Sequence, residues 1–154
     1  MIHFELITPE RVLYRQAADQ VTLPTAQGEI TVLPGHIGLV AALVPGIARL
    51  KIGGRIEEVA VSGGFIQVGA DKVRVLADTA ERGEELDLSV IEEARKRAEK
   101  VMKEAVRLDD NSYAAAVAAM EREMARYKLA QRRHAPRSAP TVDKASLPHD
   151  ENPL

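Results

Sequence analysis

His36 follows Pro34-Gly35, and with Ser62 and any of several Asp it has the residue types of a Ser/His/Asp relay. No nucleophile-elbow sequence surrounds Ser62, so nothing local would position such a relay, and hydrolytic catalysis is not expected. The segment Gly63-Gly64-Phe65-Ile66-Gln67-Val68-Gly69 is glycine-rich, but no Gly-Lys-Ser/Thr follows it. It therefore reads as a strand start where another backbone comes close, not as a phosphate loop. The four His stand at 3, 36, 134 and 149 without paired spacing, and the chain has no Cys. A metal site, a thiolate nucleophile and a disulfide framework all lack their ligands. Arg95, Lys96, Arg97, Arg122 and Arg126 form either a solvated face or a surface for an anion or an acidic partner.

Composition narrows the classes further. With 21 Lys+Arg against 23 Asp+Glu, three Tyr, two Phe and no Trp, the chain lacks the basic stripe and stacking rings of a nucleic-acid binder. The absence of Cys fits a reducing compartment. No apolar run reaches the ~18 residues that span a bilayer, and MIHFELITPE lacks the pattern of a signal peptide. Membrane association is therefore expected through a partner.

The elements that must position these residues divide near Gly83, because all ten Gly lie between Gly28 and Gly83. Before that point apolar residues recur with period two, as in half-buried strands. Ile2, Phe4 and Leu6 alternate with His3 and Glu5. The same rhythm runs through Val21 and Leu23, Ile30 and Val32, Ala48, Leu50 and Ile52, and Val73, Val75 and Ala77. Pro34-Gly35, Pro45-Gly46, Gly53-Gly54 and Gly69-Ala70-Asp71 supply turns. Many short strands at this spacing predict an antiparallel sandwich or flattened barrel.

From Leu86 the period becomes helical, with Leu88, Ile91, Ala94, Ala98, Val101, Met102, Ala105 and Leu108 at steps of three or four. Asp87 or Ser89 can cap this helix, and Ser89 with Glu92 has capping-box spacing. Asp109-Asp110-Asn111-Ser112 interrupts the pattern, and a second, alanine-rich helix is predicted from about Tyr113 to Arg133. Tyr113, Met120, Met124 and Tyr127 would form its seam or docking stripe. Ala114, Ala115, Ala116, Ala118 and Ala119 offer little apolar area, so a weakly held helical hairpin is expected. Residues 135–154 hold four of the eight Pro and few apolar side chains, which reads as a disordered tail.

The runs LPTAQGEITVLPGH (Leu23 to His36), LVPG (Leu43 to Gly46), VSGGFIQV (Val61 to Val68) and VRVLADTAERGEELD (Val73 to Asp87) resemble the epsilon subunit of the rotary F-type ATP synthase. The resemblance extends from Phe4 to about Arg133, in the family's order and spacing. It implies two five-stranded, mainly antiparallel sheets forming a β-sandwich over 1–84, followed by a helical hairpin over 85–134. It further implies a subunit with no chemistry of its own and no cofactor. Such a subunit couples the gamma stalk to the membrane c-ring and restrains ATP hydrolysis when its helices reach the alpha/beta head, at the cytoplasmic face of a bacterial membrane.

Residue by residue, Gln27, Gly28, Glu29 and Ile30 resemble the loop that touches the c-ring, and Pro34, Gly35 and His36 the part that faces gamma. Some relatives bind ATP between the helices through Ile/Leu-Asp-x-x-Arg-Ala. Leu86 and Asp87 match that motif, whereas Val90 and Ile91 stand at its Arg and Ala positions. Glu81, Arg97, Arg122 and Arg126 fall at the remaining positions of such a site, but the missing Arg removes a forked cation suited to phosphate. A nucleotide-sensing module is thus the rival to the rotor subunit.

Overall fold

The computed structural model describes residues 1–105 and 109–134; the expected tail at 135–154 and Leu108 lie outside the described residues. Ten strands precede two helices: β1 (Ile2–Ile7), β2 (Val12–Ala18), β3 (Gln20–Thr25), β4 (Gly28–Val32), β5 (Leu39–Leu43), β6 (Gly46–Ile52), β7 (Arg55–Val61), β8 (Gly64–Val68), β9 (Lys72–Ala77) and β10 (Ala80–Arg82). A 3-10 turn, Gly83–Glu85, leads into α1 (Leu88–Ala105) and α2 (Asp110–His134).

Hydrogen bonding divides the strands into two fives. One sheet runs β10-β7-β6-β3, with β4 also on β3, and the other runs β5-β8-β9-β1-β2. A single register pair, Thr25 opposite Leu43, joins them. All pairings among the described residues are antiparallel except β1 with β9. The two sheets enclose one core containing Phe4, Leu6, Val21, Leu23, Leu50, Ile66 and Val75, as alternation along the strands requires. Ile2, Phe4 and Leu6 are buried as expected.

Local chemistry fixes the turns. Gly53 and Gly54, at φ +56° and +82°, close the β6–β7 hairpin in the left-handed region that twisted two-residue hairpins need. Gly64 is the close approach expected from the sequence: at φ +140°, a Cβ there would lie 2.0 Å from the Leu76 carbonyl oxygen. A bulge at the β1–β2 pair sets Val12 opposite Ile7 and Tyr14 opposite Leu6. Tyr14 is thereby turned inward, where its hydroxyl donates to Glu57 at 2.8 Å and the Arg82 guanidinium lies 4.5 Å from the ring centre.

The helices differ from the sequence expectation at their starts. Of the two candidate caps for α1, Asp87 serves: its Oδ1 accepts the Ser89 and Val90 N–H groups at 2.9 and 3.4 Å. The Ser89 hydroxyl donates to the same oxygen, so the Ser89–Glu92 capping box does not form. Asp109 caps α2 by accepting the Ser112 N–H at 2.9 Å, so α2 begins at Asp110, three residues before the predicted Tyr113. The buried stripe of α1 includes Ile91 and Ala105 but omits Val101, which is exposed.

Candidate functional site

Three regions hold the residues singled out above. In the first, β3 and β4 form a hairpin whose tip is Ala26-Gln27. Thr25 Oγ1 donates to the Gly28 carbonyl at 2.6 Å, and Gly28 at φ +113° opens the return strand. Gln27, Gly28 and Glu29 are exposed and Ile30 is partly buried against the core. Arg49 of β6 donates to Glu29 at 2.5 Å, which props the carboxylate at the edge of the sheet. The loop is thus an exposed, polar tip at the surface.

In the second region, Leu33-Pro34-Gly35-His36 makes a turn closed by the His36 N–H on the Leu33 carbonyl at 3.1 Å, with Gly35 at φ +79°. His36 Nδ1 lies 2.7 Å from the Ile37 carbonyl oxygen. Ser62 is buried and takes both the N–H and the hydroxyl of Thr79 at 2.9 Å, so His36 and Ser62 are engaged separately. On the outward face of the second sheet, cross-strand register aligns Ala42, Phe65, Leu76, Ile7 and Val12 in one row over all five strands. Phe65 is 64% exposed, Leu76 49% and Val12 48%. The next row is Val40, Gln67, Arg74, Glu5 and Arg15. There Arg74, Lys72 and Arg15 approach Glu5 at 2.9, 3.1 and 3.5 Å and leave a surplus of positive charge. Hydrogen bonds from Arg74 and then Lys72 hold the Glu5 carboxyl below its ordinary range.

The third region is the helical arm. The α2 helix lies on the outer face of β6 and β7, where register aligns Glu81, Ala60 and Ile47. Leu129 and Ala130 pack on that row together with Leu86 and Ile91, and Leu88 and Tyr127 flank them. Arg126 donates to Glu81 at 2.6 Å and to Glu123 at 2.7 Å. Burial works against the charge of Arg126, but Glu81 and Glu123 outweigh it and raise its pKa. Between the helices the Arg95 guanidinium lies 4.5 Å from the Tyr127 ring centre.

Of the residues placed at a nucleotide site, Glu81, Arg122 and Arg126 meet in one network through Glu123, with Arg122 Nε 3.4 Å from Glu123. Leu86 is buried in the apolar cluster and Asp87 is the α1 cap. Arg97 pairs with Glu93 on α1 at 3.8 Å, outside that network. Tyr127 joins the docking stripe, while Met120 and Met124 line a groove of about 620 Å³ between α2, the β3–β4 hairpin and the β5–β6 turn. Sequence reasoning missed Glu123, Glu58, Arg132 and Arg133. Glu123 and Arg126, three apart on a helix, have a spacing too common to single out, and Glu58, Arg132 and Arg133 have partners far away in the chain.

Residues 1–83 match the family model described as "ATP synthase, Delta/Epsilon chain, beta-sandwich domain". The chain belongs to this family. An ATP synthase epsilon chain of Moorella thermoacetica is 45% identical over 130 residues, covering 84% of this chain and 96% of the relative. The epsilon chain of Halalkalibacterium halodurans is 41% identical over 104 residues, covering 68% and 78%. A chain in the cryo-EM structure of the Euglena gracilis mitochondrial ATP synthase, OSCP/F1/c-ring, has 26% identity and a TM-score of 0.67 over 78% of this chain and 75% of its own. A chain of the Tetrahymena thermophila mitochondrial ATP synthase central stalk and c-ring, at 14% identity, shares the fold with a TM-score of 0.54 over 84% and 96%. This epsilon-family chain is thus a subunit of an ATP synthase, and among its described residues no helix is long and apolar enough to cross a membrane.

Proposed function

We propose that the chain is a non-catalytic central-stalk subunit: its sandwich joins gamma to the c-ring, and its helical arm restrains ATP hydrolysis. The observation that carries this reading is the apolar row Ala42-Phe65-Leu76-Ile7-Val12, exposed except for half-buried Ile7, on the sheet opposite the one that α2 covers. Contiguous exposed apolar surface with a charged border is what a protein partner covers. Exposed Leu33 and Ile37 flank Pro34, Gly35 and His36 at the other end of the same sheet, where the Gly35 N–H bonds the Ala70 carbonyl at 3.0 Å, so in this reading gamma runs along the face from the row to that turn. The Gln27-Gly28-Glu29 tip then meets the ring. A two-layer core transmits torque between these contacts because its packed interior resists shear.

The arm is the part free to change place. Among the described residues of its two helices the buried apolar side chains are few and mostly small: Ile91, Ala105, Ala116, Ala125, Leu129 and Ala130. Straightening the hairpin near Asp109 lengthens its reach from roughly 30 Å to roughly 70 Å, at ~1.5 Å per residue, enough to engage the alpha/beta head. The rival nucleotide-sensing reading finds Arg126 filled by two carboxylates and Asp87 committed to a helix cap.

Deleting residues 88–154 in the assembled synthase should leave gamma association intact and raise ATP hydrolysis. Unchanged hydrolysis would refute the restraining role, and loss of gamma association would refute the division between sandwich and arm.

A further inference from the structure

Straightening the arm requires α2 to leave the sheet, so whatever holds α2 there sets the position of the switch. The apolar contact is small: Leu129 and Ala130 rest on Ala60 and Ile47. Ala60 is short enough to let the helix come close but supplies little area. Around this contact three α2 arginines each take a different glutamate of the β block or the turn after it. Arg126 meets Glu81 on β10 at 2.6 Å, Arg132 meets Glu58 on β7 at 2.8 Å, and Arg133 meets Glu84 in the 3-10 turn at 3.9 Å. The helix side of the contact is cationic and the sheet side anionic.

Glu123 distinguishes this arrangement from an ordinary surface zipper. It is 5% exposed, the one buried charged side chain among the described residues. Arg126 donates from Nη1 to it at 2.7 Å and from Nε to Glu81 at 2.6 Å, so two of the guanidinium nitrogens are engaged by carboxylates of this chain. A buried carboxylate is costly without a charged partner, and of its two, Arg126 at 2.7 Å is closer than Arg122 at 3.4 Å.

We propose that Arg126, Arg132 and Arg133 latch the retracted arm to Glu81, Glu58 and Glu84, with buried Glu123 locking Arg126, so that docking needs no bound anion. The proposal rests on the arm being movable, as in the function proposed above. The latch is electrostatic, so retraction weakens with salt. It is also graded: Arg126 matters most and the more exposed Arg133, at the longest distance, matters least.

The absence of Cys allows the full chain to be labelled at Arg55→Cys on β7 and Ala118→Cys on α2, and arm position read by energy transfer. Arg126→Met should lower the docked-to-undocked ratio roughly ten- to hundredfold, the range for losing hydrogen bonds to charged groups. Glu81→Gln, which leaves α2 untouched, should act in the same direction and guards against a helix that merely unfolds. Raising salt from about 0.05 to about 0.5 M should lower energy transfer in the unmodified protein, and should leave it unchanged in one with all three arginines changed to Met, whose arm has already undocked. The exchange Glu58→Arg with Arg132→Glu should restore what either change alone removes. Millimolar ATP should leave energy transfer in the otherwise unmodified protein unchanged.

Energy transfer indifferent to Arg126→Met, to Glu81→Gln and to salt overturns the latch, and docking driven by ATP overturns its self-sufficiency. If energy transfer responds as expected while arm deletion in the synthase leaves hydrolysis unchanged, the latch stands and the restraining function falls.

Discussion

Phe65 and Ile66 are chain neighbours on opposite faces of β8, and substituting each should produce opposite losses. Phe65 is 64% exposed and Ile66 fully buried. A Phe offers about 200 Å² in all, so about 130 Å² of Phe65 stays open for a partner to cover. At ~25 cal/mol/Å² that area is worth at most about 3 kcal/mol, or roughly a hundredfold in Kd. Phe65→Ser should therefore weaken binding to purified gamma by up to about that factor, while thermal unfolding of the free chain shifts by less than about 1 kcal/mol. Ile66→Ala should instead cost about 2–5 kcal/mol of folding stability, from lost transfer energy and the cavity left behind. Titration calorimetry with gamma and a urea melt of each variant separate the two effects. If Phe65→Ser leaves gamma affinity unchanged, the exposed row is not the gamma face. If it unfolds the free chain, the row belongs to the core and the reasoning from exposure fails.

Three further outcomes follow from the geometry. Gly64→Ala should destabilise the chain by at least about 3 kcal/mol in a urea melt, since its φ suits glycine alone and a Cβ would meet the Leu76 carbonyl oxygen at 2.0 Å; Gly53→Asn, with open space at φ +56°, should be near neutral. Glu29→Lys should cost less than about 1 kcal/mol of stability, because its pair with Arg49 is largely exposed, yet reduce ATP-driven proton pumping by the assembled synthase; normal pumping would remove the ring contact from Glu29. The backbone N–H of Ser112, and then its hydroxyl, hold the Asp109 carboxyl below its ordinary value of 3.8. A lowered folded-state pKa adds stability above the unfolded value and loses it as pH falls through the folded one. The first turn of α2 should accordingly fray below about pH 3.8 and be less pH-sensitive in Asp109→Asn, as read from the Ser112 amide by NMR.

The β block was largely legible because its rules are local. Ile2, Phe4 and Leu6 alternate in sequence and in burial, and Gly53-Gly54 names its own turn. β3 was harder to read, since Val21 through Thr25 are all buried and the period-two signal vanishes. Pairing order and the outward row through Phe65 depend on register between strands far apart in the chain, which periodicity does not encode. In α2, alanine flattens the contrast between faces, yet of the stripe expected from Tyr113, Met120, Met124 and Tyr127 the last three face the β block and only Tyr113 is exposed. The partners of Arg126 and Arg132 lie 45 and 74 residues away, beyond any helical spacing rule. Asp109 was read as part of an interruption because Asp, Asn and Ser favour turns and caps alike.

The pairing of β1 with β9 bears on how the protein is made. Residues 2–7 leave the ribosome about 70 residues before their parallel neighbours, residues 72–77. Until those emerge, the first strand has only its hairpin partner β2, and the apolar side of Ile2, Phe4 and Leu6 faces water. Closure of the block thus waits for residues 72–77, and a nascent chain stalled before residue 72 exposes the edge on which β-rich proteins misassociate.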